Sequence, residues 1–507
     1  MAVKGGCVMV TRQGTNRDDI LQGTNGVDFL IGLGGNDTLQ GLGGRDQLFG
    51  GLGNDFLDGG GDIDIANYST SRARVNVNLA RGIATGEGRD RLLGIEWVIG
   101  SNQNDVIIGN FGDNSLWGQD GNDILRGGFG NDFLSGELGN DSLFGEAGND
   151  TLAGGAGRDR LNGGEGTDVV DYFGANQGVS ADLATGRATG EGTDTLVSIE
   201  SLSGSRFNDT LAGNTGHNAL MGGRGNDLLY GRHGNDLLRG NAGNDLLDAG
   251  KGDDRLEDSE GGNDTLNGGA GNDVIIDRSG NDTINGGAGN DNIEDQGGSD
   301  TINGGDGNDV ITADVFSIGY GSDTIDGGAG NDNILAGYGD DLIFGGTGDD
   351  TLSGGGGADY LVGGPGDDVL SGGLGADRFL IATGRAFNMQ DVGVDRITDF
   401  PSVYAIDKRS EKVVLDKTTF SVLGSVAGSD LLDSEFATVA TDSDAALSDA
   451  LIVYNRSTGS LFYNANGNAD GFGIGGHFLT FRSNFTFNAP LLFAYDFRVS
   501  DIVNSIL

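Results

Sequence analysis

The stretch N-G-G-A-G-N-D-V-I-I-D-R-S-G-N-D-T-I, Asn267 to Ile284, is followed at once by N-G-G-A-G-N-D-N-I-E-D-Q-G-G-S-D-T-I, Asn285 to Ile302, and then by N-G-G-D-G-N-D-V-I-T, Asn303 to Thr312. Each unit of eighteen holds two nonapeptides, one with a full Gly-Gly turn and one with a weaker turn. A glycine-rich hexapeptide supplies a turn with positive φ and close backbone approach. The next three residues, with a central aliphatic, make a very short strand that points one side chain inward. Turn and strand in alternation wind a solenoid of parallel strands. Two unlike turns per coil predict a flattened roll of two sheets with two inequivalent edges. Residues eighteen apart then stack at about 4.8 Å.

Outward from this stretch the same phase runs through most of the chain. Aspartate recurs every nine residues at Asp19, Asp28, Asp37, Asp46, Asp55 and Asp64. It returns at Asp105, skips to asparagine at Asn114, and continues at Asp123, Asp132, Asp141, Asp150, Asp159 and Asp168. A third run holds Asp209, Asn218, Asp227, Asp236, Asp245 and Asp254; after one extra residue come Asp264, Asp273, Asp282, Asp291, Asp300 and Asp309. Five extra residues precede the last run, Asp323, Asp332, Asp341, Asp350, Asp359, Asp368 and Asp377. Leu39, Leu57, Leu125, Leu134, Leu229, Leu238, Ile275, Ile284, Ile325 and Leu352 are among the aliphatics two residues after these points, and they are the expected core.

The composition suits only a partner that is positive. The chain has 507 residues, 100 of them glycine but only 3 proline, which excludes a collagen helix. Its formal net charge of −46 disfavours nucleic acid and anionic membranes, and no apolar run approaches a membrane span. The single cysteine, Cys7, allows no internal disulfide. Stacked carboxylates at the coil spacing repel by roughly 3 kcal/mol per pair at an effective dielectric near 20. With a thin core and so much glycine to order, the bare chain is expected to stay unfolded.

Calcium answers that repulsion. It is a hard ion that takes 6–8 oxygen ligands, which glycine-turn carbonyls and aspartates supply. Magnesium demands a stricter octahedron, and zinc or copper want histidine or thiolate. His217, His233 and His477 have no ligand spacing. One Asn-Asp or Gly-Asp turn is usually an ordinary turn. The 31 aspartates in register argue for a cation ladder, and the expected ligands are the aspartates of the phase named above.

The G-G-x-G-x-D-x-aliphatic-x repeats, unbroken in thirteen copies such as Gly50 to Asp55, Gly222 to Asp227 and Gly372 to Asp377, resemble the RTX (repeats-in-toxin) family of secreted bacterial calcium-binding proteins. The resemblance implies a parallel β-roll with calcium between successive turns. It also implies export through a type I secretion channel on an uncleaved C-terminal signal. The N-terminal segment, with only the short apolar run Cys7 to Val10, fits neither a secretory signal nor a lipoprotein site, in keeping with that route. The expected organisation is a leader over 1–13, repeat blocks over 14–68, 102–172 and 205–381, inserts over 69–101 and 173–204, and a β-rich C-terminal cap with the secretion signal over 382–507.

The two inserts match each other without a gap at an offset of 104: Tyr68 with Tyr172, Leu79 with Leu183, Glu87 with Glu191, Ile95 with Ile199, Glu96 with Glu200. Val75 to Leu79 alternates as a strand. Each insert is expected to be an aperiodic stretch of the solenoid or a β-rich unit packed on it, with Glu96 and Glu200 bridging coils rather than catalysing, since they lack a partner acid. The tail is aromatic, with Phe379, Phe387, Phe400, Phe420, Phe462, Phe478, Phe481, Phe485, Phe487, Phe493 and Phe497. From Ala450 it reads as strand, turn, strand. Asn464, Asn466, Asn468 and Asp470 resemble an EF-hand loop only loosely and read as a plain turn. The D-R-I-T-D-F at Asp395 and S-D-I-V at Ser500 resemble the ends of RTX exoproteins, and the tail is expected to cap the open end of the roll.

No H-E-x-x-H, G-x-S-x-G or Walker loop is present, and Cys7 is remote in sequence from every histidine. The expected protein is a non-enzymatic, extracellular calcium binder with a structural, cell-surface, matrix or adhesion role. Its partners are calcium and the type I channel, with cell-surface polysaccharide or further copies of itself as contacts, and neither nucleic acid nor membrane insertion. The competing expectation is an exoenzyme, for example one acting on polysaccharide, with its site on the inserts or the tail.

Overall fold

The computed structural model describes residues 9–315, 321–382, 388–400, 412–425, 427, 429–465, 472, 475–481 and 496–500. The chain divides into two compact units, Met1–Gly240 and Asn241–Leu507. Each is an all-β parallel solenoid.

In the second unit the repeat is plainest. On one sheet the strands Thr265–Ala270, Thr283–Ala288, Thr301–Asp306 and Thr324–Ala329 lie side by side, parallel and in register. On the other sheet run Arg255–Glu257, Val274–Ile276, Asn292–Glu294 and Val310–Thr312. The first set has six residues because the strand runs on through the Gly-Gly turn; the second has three because the weaker turn breaks the ladder. The two edges of the coil therefore differ, as the eighteen-residue period requires.

One aliphatic per strand points between the sheets. Leu266, Ile284, Ile302 and Ile325 stack on one side and Leu256, Ile275, Ile293 and Ile311 on the other. All ten aliphatics named as core in the sequence are at most 1% exposed. This row is most of the apolar core of each coil, with small side chains such as Ala249 and Ala336 added in places, so turn interactions must supply much of the stability. The five-residue insertion after Thr312 stretches the register step from 18 to 23, with Ile302 opposite Ile325, and leaves the stack intact.

The first unit winds the same way, from Val10–Gln13 against Asp28–Ile31 onward. Its two inserts are part of the solenoid wall. Asn76–Asn78 is parallel to Val106–Ile108; it pairs antiparallel with Ile83–Thr85, which is antiparallel to Arg89–Leu93, itself parallel to Phe56–Gly61. The second insert repeats this with Ser180–Asp182, Arg187–Thr189 and Thr193–Val197 between Thr210–Ala212 and Arg160–Glu165. The opposite sheet runs past without interruption, Ile65–Asn67 to Trp97–Ile99 to Ser115–Trp117. Val75, Val77 and Leu79 turn inward, which is the alternation legible in V-N-V-N-L.

The C-terminal segment extends both sheets. Arg378–Ile381 pairs with Lys412–Asp416, and that strand with Phe497–Ser500. On the other sheet Val369–Gly375 pairs with Asp395–Ile397, and that with Gly476–Phe481. The hairpin read from Ala450 is the antiparallel pair Ile452–Asn455 and Ser460–Tyr463. Aromatics join the aliphatic row, which continues through Ile397 and Val413: Phe420 meets Tyr463 and Phe478 at ring-centroid distances of 5.0 and 5.2 Å, and Phe400 meets Phe481 at 5.1 Å. Phe387, Phe485, Phe487, Phe493, the leader through Val8 with Cys7, Asn466, Asn468, Asp470, and S-D-I-V beyond Ser500 lie outside the described residues. Asn464 is buried and its amide donates to Ser448 O.

Candidate metal centre: two carboxylate ladders along the turns

Each turn ends in the pair Asn-Asp or a close variant, and the two side chains tie the coil to its neighbours in opposite directions. The aspartate Oδ1 accepts from the backbone N–H of the aspartate one coil earlier. Asp37 N–H donates to Asp55 at 2.7 Å, Asp132 to Asp150 at 2.8 Å, Asp273 to Asp291 at 2.8 Å and Asp350 to Asp368 at 2.9 Å. The asparagine before it accepts from the coil that follows: Asn54 N–H donates to Asn36 Oδ1, Asn140 to Asn122 and Asn290 to Asn272. The sequence reading assigned the aspartates only to metal and missed this clamp; the recurring N-D pair was its signal.

The other carboxylate oxygen is the one that asks for a cation. At Asp37, Asp55, Asp132, Asp159, Asp273, Asp291, Asp309 and Asp350, Oδ2 is buried and has no hydrogen-bond partner. A free charged oxygen inside protein is costly unless something positive meets it. Backbone carbonyl oxygen lies alongside it. A methyl group built on Gly268 would stand 2.5 Å from Asp273 Oδ2 and 2.7 Å from the carbonyl oxygen of Gly286, one coil on. Only glycine fits there, and the space gathers carboxylate and carbonyl oxygen from two coils. That donor set suits calcium, a hard ion that takes all-oxygen coordination. Burial pushes the carboxyl of Asp46 up to about 6 and those of Asp64, Asp123 and Asp273 up to about 7, with facing aspartates adding to the rise.

Four of the sequence-predicted aspartates sit differently. At Asp19, Asp28, Asp105 and Asp209 the second oxygen accepts from the backbone N–H of the residue four before it, Thr15, Thr24, Ser101 or Ser205. The hydroxyl of the same residue adds a second bond. The two asparagines of the phase match this pattern: Asn110 N–H donates to Asn114 Oδ1 and Asn214 N–H to Asn218 Oδ1. Backbone geometry separates most turns of the two kinds. In most turns with a free oxygen the residue four before the aspartate has a positive φ, as at Leu33 (77°), Gly128 (114°) and Gly287 (111°); Glu260, Arg278 and Gln296, before Asp264, Asp282 and Asp300, do not, although those aspartates also keep a free oxygen. Threonine, serine and asparagine hold that position in the self-satisfied turns, which open each repeat block. In the Asn218 turn the Gly213 carbonyl also accepts from the Arg232 guanidinium at 2.7 Å.

The inserts carry the ladder onward with other side chains. Asp55 N–H donates to Asp90 and Asp159 N–H to Asp194, while Tyr68 and Tyr172 give their hydroxyls to the second oxygen of those aspartates at 3.1 and 3.2 Å. Glu96 and Glu200 accept from Asp64 N–H and Asp168 N–H, each at 3.0 Å, so both bridge coils. Glu87 and Glu191 likewise take the N–H of Arg72 and Asn176. Asp90 and Asp194 were not singled out by sequence, because they fall off the nine-residue phase.

In the second unit a further set of aspartates stands off the phase. Asp258, Asp277 and Asp295 are at most 1% exposed and form three groups with the regular ladder: Asp245–Asp258–Asp264, Asp264–Asp277–Asp282 and Asp282–Asp295–Asp300. In each group one oxygen from every member lies within 4.8 Å of the others. Burial, with the neighbouring carboxylates, pushes Asp258 and Asp277 up to about 8 and Asp295 higher still.

With this geometry in hand, the chain can be placed among known families. A profile of the RTX calcium-binding nonapeptide repeat matches residues 13–46, 31–66, 99–134, 135–170, 199–229, 222–256, 258–293, 286–315, 317–352 and 344–379, together more than half of the chain. The chain belongs to the RTX calcium-binding repeat family, whose members are generally secreted. No curated protein matches the chain. Among the described residues no helix is long and apolar enough to cross a membrane.

Proposed function

We propose that this is a secreted protein that stays unfolded at cytosolic calcium, leaves through a type I channel, and winds up on extracellular calcium to serve as a structural or adhesive element of the cell surface or matrix. The observation that carries this reading is the row of buried Oδ2 atoms without a partner, such as those of Asp273, Asp291 and Asp309. Without ions that row costs more than one aliphatic per strand can offset. Extracellular calcium modules bind at about 10⁻⁴–10⁻³ M, far above cytosolic free calcium, so the same chemistry keeps the chain export-competent inside and folded outside. Its role is to hold a shape against cell-surface polysaccharide or copies of itself, without turnover.

The test is circular dichroism of the full chain through a calcium titration, followed by attachment to cells in calcium and in chelator. A β signal that appears only with calcium, and attachment that chelator reverses, are expected. A full β signal in chelator contradicts the folding switch. Turnover of an acidic polysaccharide by the purified chain contradicts the non-catalytic role.

A further inference from the structure

Asp258, Asp277 and Asp295 stand in turns that elsewhere begin with glycine. D-R-S-G-N-D and D-Q-G-G-S-D replace G-G-x-G-N-D. Both oxygens of Asp258 and Asp295 and one of Asp277 are buried with no hydrogen-bond partner, and each of these side chains points into one of the three aspartate groups. Asp314 continues the row but belongs to no group, because its two oxygens accept from the N–H of Gly297 and Gly321. The free oxygens of these off-phase aspartates are thus confined to three successive gaps.

Charge separates these gaps from the others. Along an ordinary edge each turn buries one carboxylate, any second one, such as Asp340 or Asp349, being exposed, so one divalent ion per gap leaves an excess of positive charge inside. Here each turn buries two, and a divalent ion is balanced. Calcium affinity in oxygen sites rises with the charge count of the ligands. We infer that the three aspartate groups form a separate, tighter class of divalent-cation site that fills first as calcium rises, so that winding of the second unit starts between Asp245 and Asp300. This rests on the calcium reading above and adds an order of loading to it.

The test is equilibrium dialysis of the full chain with calcium alone, at buffered free concentrations. A two-step isotherm is expected, with three ions taken up at about tenfold lower free calcium than the rest. The triple variant D258N/D277N/D295N is expected to lose the early step and keep the late one. A second variant, D277G/D295G, restores the repeat's own glycine and guards against misfolding; it is expected to match the parent's circular dichroism at saturating calcium while losing most of the early step. A one-step isotherm in the parent, or an early step that survives in both variants, overturns the inference. An absence of calcium uptake at any concentration overturns the calcium reading itself and this inference with it.

Discussion

At the scale of the residue, what separates the aspartates is whether the backbone N–H of the residue four before bonds the carboxylate. Where that residue has a positive φ, as at Gly287 before Asp291, the carboxylate keeps a buried free oxygen. Where it is Ser101 before Asp105, the backbone closes the site. Asp291→Asn therefore removes a ligand and is expected to cost about 2 kcal/mol of stability in calcium. Asp105→Asn is expected to leave the calcium midpoint unmoved, since Asn114 already fills the same place with an amide; thermal melts with and without calcium compare the two. The pH dependence also follows at this scale. Burial holds the carboxyls of Asp46, Asp123 and Asp273 in the ion-free fold above their unfolded value near 3.8, at about 6 for Asp46 and about 7 for Asp123 and Asp273. A raised carboxyl adds stability below its unfolded value and loses it as pH climbs through the folded one. In chelator the chain is thus expected to gain β structure as pH falls from 7 toward 4, whereas in calcium the same acid competes with the ion and weakens the fold. Circular dichroism along both pH series reads the opposite signs.

At the scale of the element, the strand and turn of each nonapeptide were legible in the sequence because one aliphatic and one aspartate repeat in fixed phase. Leu266, Ile284 and Ile302 occupy the inward places that the pattern assigns them. The self-satisfied turns were not legible from the phase, because a threonine, serine or asparagine at one position changes a hydrogen bond without changing the spacing. The inserts were legible only as a repeated pair: nothing periodic marks Asp90 and Asp194, which take over the ladder, or the Tyr68 and Tyr172 hydroxyls that satisfy them. The tyrosine stands where other coils leave an oxygen free. Tyr172→Phe is therefore expected to cost about 1–3 kcal/mol by exposing Asp194 Oδ2 to apolar surroundings, and saturating calcium is expected not to restore the loss. Thermal unfolding at high calcium checks this; full recovery would mean that an ion occupies the hydroxyl's place.

At the scale of the whole molecule, a chain of net charge −46 folds around rows of its own aspartates. One apolar side chain per strand and a hydrogen-bond clamp at each Asn-Asp pair give the winding its register, and cations give it its stability. The aromatic C-terminal segment extends both sheets where the repeats stop, and Phe478 and Phe420 there are fully buried with their rings in contact. Stability is accordingly expected to be graded: in falling calcium the repeats lose protection from hydrogen exchange before Gly476–Phe481 does. The most direct measurement of the central claim is anomalous scattering from crystals grown in calcium. Ion peaks beside Oδ2 of Asp273, Asp291 and Asp309, and none at Asp105 or Asp209, are predicted. Wound coils without peaks at the free oxygens would contradict the account.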